Sequence, residues 1–105
     1  MKISELTKQD MQEFADDAKC YLHSFELIGT KIYATLIAKN TKFKIDLILT
    51  DFDCKMNSEY KKGGEDYFRN IWQSFMFRRF ASDNEFILKW KKYVLKPYKS
   101  HSAGI

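Results

Sequence analysis

Residues 67–80 read Tyr-Phe-Arg-Asn-Ile-Trp-Gln-Ser-Phe-Met-Phe-Arg-Arg-Phe, and this stretch decides the fold. Its apolar side chains recur at three- and four-residue steps, as on the buried face of a helix. The stripe consists of Phe68, Ile71, Trp72, Phe75 and Met76. Acidic Glu65 and Asp66 suit the positive end of a helix macrodipole. The pattern predicts a core helix over residues 65–81. After Met76 the register changes, so the arginine-rich end is expected to form a contact surface.

Upstream of this helix, residues 7–23 are predicted to form an amphipathic helix. Thr7 and Asp10 have the spacing of a capping box, with Asp in place of Glu or Gln. Asp10, Glu13 and Asp17 collect on the side opposite the apolar stripe. We therefore expect an acidic, solvated outer face on this helix.

The segment 25–50 is predicted to form three antiparallel strands. Gly29-Thr30 lies between apolar runs, and glycine in the first position suits a type II′ hairpin turn. Residues 32–39 and 43–50 then alternate between apolar and mixed side chains, with the period of two that a half-buried strand shows. Residues 51–64 are polar and glycine-containing, and they are predicted to be a loop.

A last helix is predicted over residues 83–96. Ser82-Asp83-Asn84-Glu85 resembles a capping box, and Pro97 ends the helix. Residues 98–105 are expected to be a flexible tail. The prediction is an α+β fold in a single domain, residues 1–105. The element order is α-β-β-β-α-α, and an antiparallel three-stranded sheet packs on the helices.

The charge of the chain is polarised. The 105 residues carry a net charge of +4, but residues 1–53 contribute −2 and residues 54–105 contribute +6. This asymmetry favours an acidic partner, either a protein surface or nucleic acid. No signal peptide or membrane-length apolar run occurs, so a cytoplasmic protein without membrane contact is expected. Whether Cys20 and Cys54 pair is left open.

The basic, aromatic C-terminal half carries the candidate binding surface. Ten of the 17 aromatic residues lie between Tyr67 and Tyr98. Cations mixed with aromatic rings occur at protein interfaces and at nucleic-acid sites. The candidate partner-binding residues are Arg69, Phe77, Arg78, Arg79, Lys89, Lys92, Lys96 and Lys99. The leading hypothesis is a small non-enzymatic regulator or inhibitor that docks this face on an acidic partner protein, with a nucleic-acid-processing machine as a candidate target. It predicts no catalytic residue, metal or cofactor.

The sequence supports three further hypotheses. The first is direct DNA or RNA binding by the same face. The second is a homodimer through Phe77, Leu88 and Leu95. The third is a divalent-metal nuclease, because Asp53-Cys54-Lys55 resembles in outline the Asp-x-Lys end of the PD-(D/E)xK nuclease core. Asp46 or Asp51 would then supply the second carboxylate, and the hypothesis uses Asp46, Asp53 and Lys55.

The α-β-β-β-α order over residues 7–80 also resembles the topology of the double-stranded-RNA-binding domain. The lysines of that family sit at the start of its second long helix, where Lys61 and Lys62 are the nearest match. Glu65 and Asp66 follow directly, and the Gly-Pro-x-His loop is missing. We therefore do not assign the chain to that family.

Overall fold

The computed structural model describes residues 1–57 and 64–95, and it contains one antiparallel sheet and three α-helices. A short 3-10 helix, Lys2–Glu5, precedes them. The elements in chain order are α1 Lys8–Asp17, β1 Cys20–Ile28, β2 Lys31–Ala38, β3 Lys44–Leu49, β4 Cys54–Met56, α2 Gly64–Arg79 and α3 Asn84–Val94. The sheet order is β1-β2-β3-β4. The α+β class and the antiparallel sheet packed on helices are confirmed, with four strands in place of three.

The core lies between one face of the sheet and the helices. The alternation predicted for β2 and β3 is confirmed, because Ile32, Leu36 and Leu47 are fully buried while their neighbours are more exposed. Phe14 of α1 and Trp72 of α2 cover them, and their rings meet edge to face at 4.8 Å. On the opposite face of the sheet, the side chains that alternate with the buried ones point away from the helices.

The β1–β2 hairpin has the predicted two-residue turn. Ile28 pairs with Lys31, so Gly29 and Thr30 form the loop. Gly29 has a φ of +63° and Thr30 does not have a positive φ. A positive φ at the first loop position alone is the requirement of a type II′ turn, which glycine meets without steric cost.

The predicted helix over residues 7–23 is too long, because α1 ends at Asp17. Lys19 takes a left-handed conformation, with a φ of 62°. From Cys20 onward the backbone pairs with β2, where Cys20 lies opposite Ala38. The three- and four-residue spacing continues through Leu22, but residues 20–28 instead form an edge strand that pairs with β2 along its length. The capping box of Thr7 and Asp10 is confirmed.

The segment predicted as a loop over residues 51–64 contains β4. Cys54 and Met56 are buried, Lys55 points outward, and Leu49 pairs with Cys54. Three residues are too few to show an alternating pattern in the sequence. Residues 58–63 lie outside the described part of the chain.

The last two helices are close to their predicted bounds. α2 ends at Arg79 instead of residue 81, and α3 begins at Asn84. Asp83 caps α3, since its carboxylate accepts from the Phe86 N–H at 3.0 Å, so the cap is one residue later than Ser82. The predicted tail, residues 98–105, lies outside the described residues. Within residues 1–57 and 64–95, no helix combines the length and apolar content that crossing a membrane requires.

Candidate functional site

Arg69 lies on α2 and binds three carboxylates of the same chain. Its guanidinium donates to Asp53 at 2.9 Å, to Glu65 at 2.8 Å and to Asp66 at 2.7 Å. Partial burial lowers the pKa of Arg69, but the hydrogen bonds to Asp53 and Glu65 outweigh it, so the net pKa is raised. The Asp53 carboxylate also accepts from the Cys54 N–H at 2.8 Å. Arg69 therefore connects α2 to the start of β4.

Arg78 and Arg79 at the end of α2 bind the acidic side of α1. Arg78 donates to Asp17 at 2.6 Å, and Arg79 donates to Asp10 at 3.0 Å. The prediction that Asp10 lies on a solvated face is wrong, because only 8% of Asp10 is exposed. Burial raises the pKa of Asp10, but hydrogen bonds from Thr7 and Arg79 outweigh burial and hold it below its ordinary value.

The lysines of α3 form fewer ion pairs than the arginines of α2. Lys89 pairs with Glu85 of the same helix at 3.3 Å. In the part of the chain that the structure describes, neither Lys91 nor Lys92 forms an ion pair. The outer face of α3 is formed by residues that recur at three- and four-residue steps. They are Leu88, Lys91, Lys92 and Leu95. Leu88 is 69% exposed and Leu95 is 37% exposed, so this face presents two leucines to solvent beside its lysines.

A groove between α2 and α3 adjoins this outer face. Its volume is about 420 Å³, and it is lined by Ser74, Phe77, Arg78, Trp90, Lys91 and Leu95. The rings of Phe77 and Trp90 meet edge to face at 4.6 Å. The Trp90 indole N–H is satisfied by the Gln73 carbonyl at 2.9 Å, so its ring is held in place. Lys91 and Leu95 belong to both the groove and the outer face.

The structure thus brings together only part of the predicted binding set. Phe77, Lys89 and Lys92 lie on or beside α3, whereas the three arginines face carboxylates of this chain. Lys96 and Lys99 lie outside the described residues. Trp90 and Lys91 were absent from the predicted set. The spacing from Leu88 to Leu95 marks the helix face of Lys91 in the sequence, whereas Trp90 lies on the inner side of α3 and packs partly against the core. We define the α3 docking surface as Phe77, Leu88, Trp90, Lys91, Lys92 and Leu95.

The residues of the nuclease hypothesis converge only in part, because Asp53 and Lys55 line a common depression and Asp46 does not. Asp46 accepts from the Thr35 hydroxyl at 2.8 Å on the outward face of the sheet, whereas Asp53 binds Arg69 on the helix side. Lys55 points outward, opposite Ile48. Among residues 1–57 and 64–95, no group of three His, Cys, Asp or Glu side chains is placed to hold a metal ion.

Both cysteines are buried free thiols. Burial raises the pKa of Cys54 to about 12, and burial also raises that of Cys20. Thiols with raised pKa values are poor nucleophiles at neutral pH.

Comparison of the chain with models of protein families, with curated proteins and with solved structures finds no match, so the assignment of function rests on the geometry above.

Proposed function

We propose that this chain is a small, non-enzymatic binding protein that docks its α3 docking surface on an acidic surface of a partner protein. By occupying that surface it acts as a regulator or inhibitor of the partner. The observation that carries the proposal is the pairing pattern of the cations. The arginines of α2 have carboxylate partners within the chain, while Lys91 and Lys92 have none among the described residues.

The charge of the α3 docking surface favours an acidic partner. Lys91 and Lys92 are exposed and adjacent, and Glu85, the acid within α3, is already paired with Lys89. Complementary charge across an interface speeds association and selects among partners. Because exposed charges are screened by salt, their contribution should fall as ionic strength rises.

The apolar part of the surface supplies the anchor. Leu88 and Leu95 flank the two lysines, and the groove beside them has an aromatic floor of Phe77 and Trp90. Energetic hot spots in interfaces are enriched in Trp and Arg and lie in pockets surrounded by a polar rim. The chemistry of the surface therefore matches an acidic segment that carries one apolar side chain for the groove.

The cellular setting that we propose is the cytoplasm. Cys20 and Cys54 are unpaired, and free thiols persist in reducing compartments. This location is part of the proposal and is checked by fractionating cells of the native host.

The test begins by capturing the partner through the surface itself. A photo-crosslinking amino acid at Leu88 is used in an extract of the native host, and the captured protein is purified. Its affinity is then measured by titration calorimetry with the wild type and with Lys91→Glu/Lys92→Glu. We expect the double variant to bind at least about tenfold more weakly, because two like charges would face the acidic partner. The salt dependence of binding should flatten as well.

The matched control reverses two lysines at the sheet. Lys31→Glu/Lys55→Glu changes the net charge by the same amount and should bind the captured partner like the wild type. Equal affinity of Lys91→Glu/Lys92→Glu and wild type would overturn the proposal. Loss of oligonucleotide binding in that α3 variant would instead favour the competing hypothesis, direct DNA or RNA binding by the same face.

A further inference from the structure

The outward face of the sheet carries a second surface of distinct chemistry. Strand register places Tyr33 of β2, Ile48 of β3 and Lys55 of β4 in one row across the sheet. Lys31 lies two residues before Tyr33 on β2, on the same face. At the other end, Tyr21, Ile37 and Lys44 form a parallel row. We define the open sheet face as Tyr21, Lys31, Tyr33, Lys44, Ile48 and Lys55.

Each isoleucine on this face has a lysine as its cross-strand neighbour. Ile28 pairs with Lys31, Ile37 pairs with Lys44, and Ile48 pairs with Lys55. Among the described residues, none of these lysines forms an ion pair. The two acids on the face are Glu26, opposite Tyr33, and Asp46, which accepts from the Thr35 hydroxyl. The face therefore carries an excess of positive charge.

Tyr33 presents an aromatic ring at the centre of these charges. It is 42% exposed, and within the described chain its ring packs on no other ring or cation. Strand geometry puts Lys31 about 7 Å away along β2 and Lys55 about 10 Å away across two strands. A depression of about 350 Å³ begins at Ile48, the cross-strand neighbour of Tyr33. Its lining includes Lys31 and Lys55 and also Asp53, whose carboxylate is paired with Arg69.

Tyr21 at the far end of the face is surrounded by further lysines. The ammonium groups of Lys39 and Lys42 lie 5.1 and 5.2 Å from the centre of its ring. Lys44 lies in the same row as Tyr21. Cations therefore continue from the Tyr33 row to this end of the sheet, which is four residues, or about 13 Å, further along β2.

From this arrangement we propose that the open sheet face binds single-stranded nucleic acid. A base stacks on the Tyr33 ring, and Lys31, Lys55 and Lys44 contact the phosphates on either side. Single strands are bound in this manner elsewhere, by cationic surfaces that follow the backbone and rings that stack on unpaired bases. This activity is independent of the α3 docking surface.

The distribution of charge favours nucleic acid over a protein partner at this face. The centres of protein interfaces are depleted of lysine and contain contiguous apolar side chains. Here every outward isoleucine has a lysine as a cross-strand neighbour, and the Tyr33 ring, which lies beside Ile48, packs on no other ring among the described residues. A phosphate backbone needs this alternation of cations and rings, whereas an apolar protein surface would have to bury the ammonium groups.

Fluorescence anisotropy with the full chain tests this proposal. The probes are labelled single-stranded RNA and DNA of about 12 nucleotides and a duplex of the same sequence. We expect binding of the single strands at low salt. Tyr33→Ala should weaken it roughly five- to 150-fold, the loss that follows removal of one stacked ring. Tyr33→Phe keeps the ring and should bind like the wild type.

The phosphate contacts are tested by salt titration. Lys31→Gln/Lys55→Gln should reduce the slope of log affinity against log salt by roughly 1.4, because each phosphate of a single strand that a lysine neutralises contributes about 0.7 to that slope. Lys91→Gln/Lys92→Gln, which removes the same two positive charges from α3, is the matched control and should leave binding unchanged. Circular dichroism and thermal unfolding establish that each variant is folded.

Three results of these oligonucleotide-binding assays would overturn the proposal. They are an absence of single-strand binding at low salt, an affinity of folded Tyr33→Ala equal to that of the wild type, and binding that is lost in the α3 variant but kept in the sheet variants. If the sheet variants lose only a protein partner, the face is a protein interface and the proposal is wrong. Each outcome is separate from the α3 test, because the two variant pairs act on different surfaces.

Discussion

Arg69 joins two structural elements through one guanidinium group. Its side chain and the carboxylates of Asp53 and Glu65 are each about three-quarters buried or more. Removal of one partner from such a cluster leaves carboxylates that repel one another away from bulk water. By contrast, Arg78 is 60% exposed and pairs with Asp17 on the protein surface. Two arginines of one helix therefore have different physical roles.

This difference predicts different costs of mutation. Arg69→Gln should lower the free energy of unfolding by about 2 kcal/mol, since it removes charge-assisted hydrogen bonds in a partly buried site. Arg78→Gln, its matched control, should lower that free energy by about 0.5 kcal/mol, as for an exposed ion pair. Urea unfolding monitored by fluorescence measures both values. A loss for Arg78→Gln as large as for Arg69→Gln would contradict this assignment.

Among the elements, α1 ends where the backbone enters the left-handed conformation. Lys19 has a φ of 62° and follows directly on Ala18, the residue that closes the helix. The Lys19 N–H donates to the Asp16 carbonyl at 3.0 Å, and its own carbonyl accepts from Lys39 in the loop after β2. Glycine is the residue that helices most often place at such a position. Because lysine stands here, the sequence contains no stop signal.

Lys19→Gly should therefore stabilise the protein. The left-handed conformation costs a non-glycine residue about 1–2 kcal/mol, and glycine removes this cost. Part of the stabilisation is lost because glycine makes the unfolded chain more flexible and so raises the entropy lost on folding. We expect the free energy of unfolding to rise by about 0.5–1 kcal/mol, measured by urea unfolding.

The converse substitution serves as the control. Gly29 also has a positive φ, and a Cβ at that position would meet no atom within 4 Å. Gly29→Ala should therefore destabilise by about 1 kcal/mol through backbone strain alone. A stabilised Gly29→Ala, or a destabilised Lys19→Gly, would show that these turns are not limited by backbone conformation.

At the scale of the whole molecule, ion pairs join the acidic and basic halves of the chain. Asp10 binds Arg79, Asp17 binds Arg78, and the Lys2 ammonium group binds Asp83. The Asp51 carboxylate accepts from the backbone N–H groups of Lys2 and Ile3. The polarised charge that suggests an external acidic partner in the sequence is therefore satisfied in part within the fold.

The lowered pKa of Asp10 predicts how the free energy of unfolding depends on pH. Its pKa in the folded protein lies below the ordinary value of 3.8. A lowered folded pKa contributes stability that is present above the unfolded value and is lost as pH falls through the folded value. Asp10→Asn should cost about 1–2 kcal/mol at neutral pH. Its difference from the wild type should shrink below about pH 4.

The measurement is urea unfolding from neutral pH down to about pH 3, which passes below the ordinary pKa of 3.8 for an aspartate. Glu13→Gln is the matched control, because it removes one carboxylate from the same helix at an exposed position. That variant should stay within about 0.5 kcal/mol of the wild type at neutral pH. A difference for Asp10→Asn that stays constant with pH would show that the carboxylate contributes through packing and not through charge.

Sequence alone determined the features that depend on near neighbours. The Thr7 capping box, the Gly29 turn, the alternation of β2 and β3 and the apolar stripe of α2 were all readable, because periods and caps are local. The tertiary structure decided the rest. It ended α1 in favour of strand β1, built β4 from three residues, and directed the three arginines to carboxylates of this chain. Those outcomes depend on pairs that are distant in sequence, and local patterns do not indicate which distant group will lie within reach.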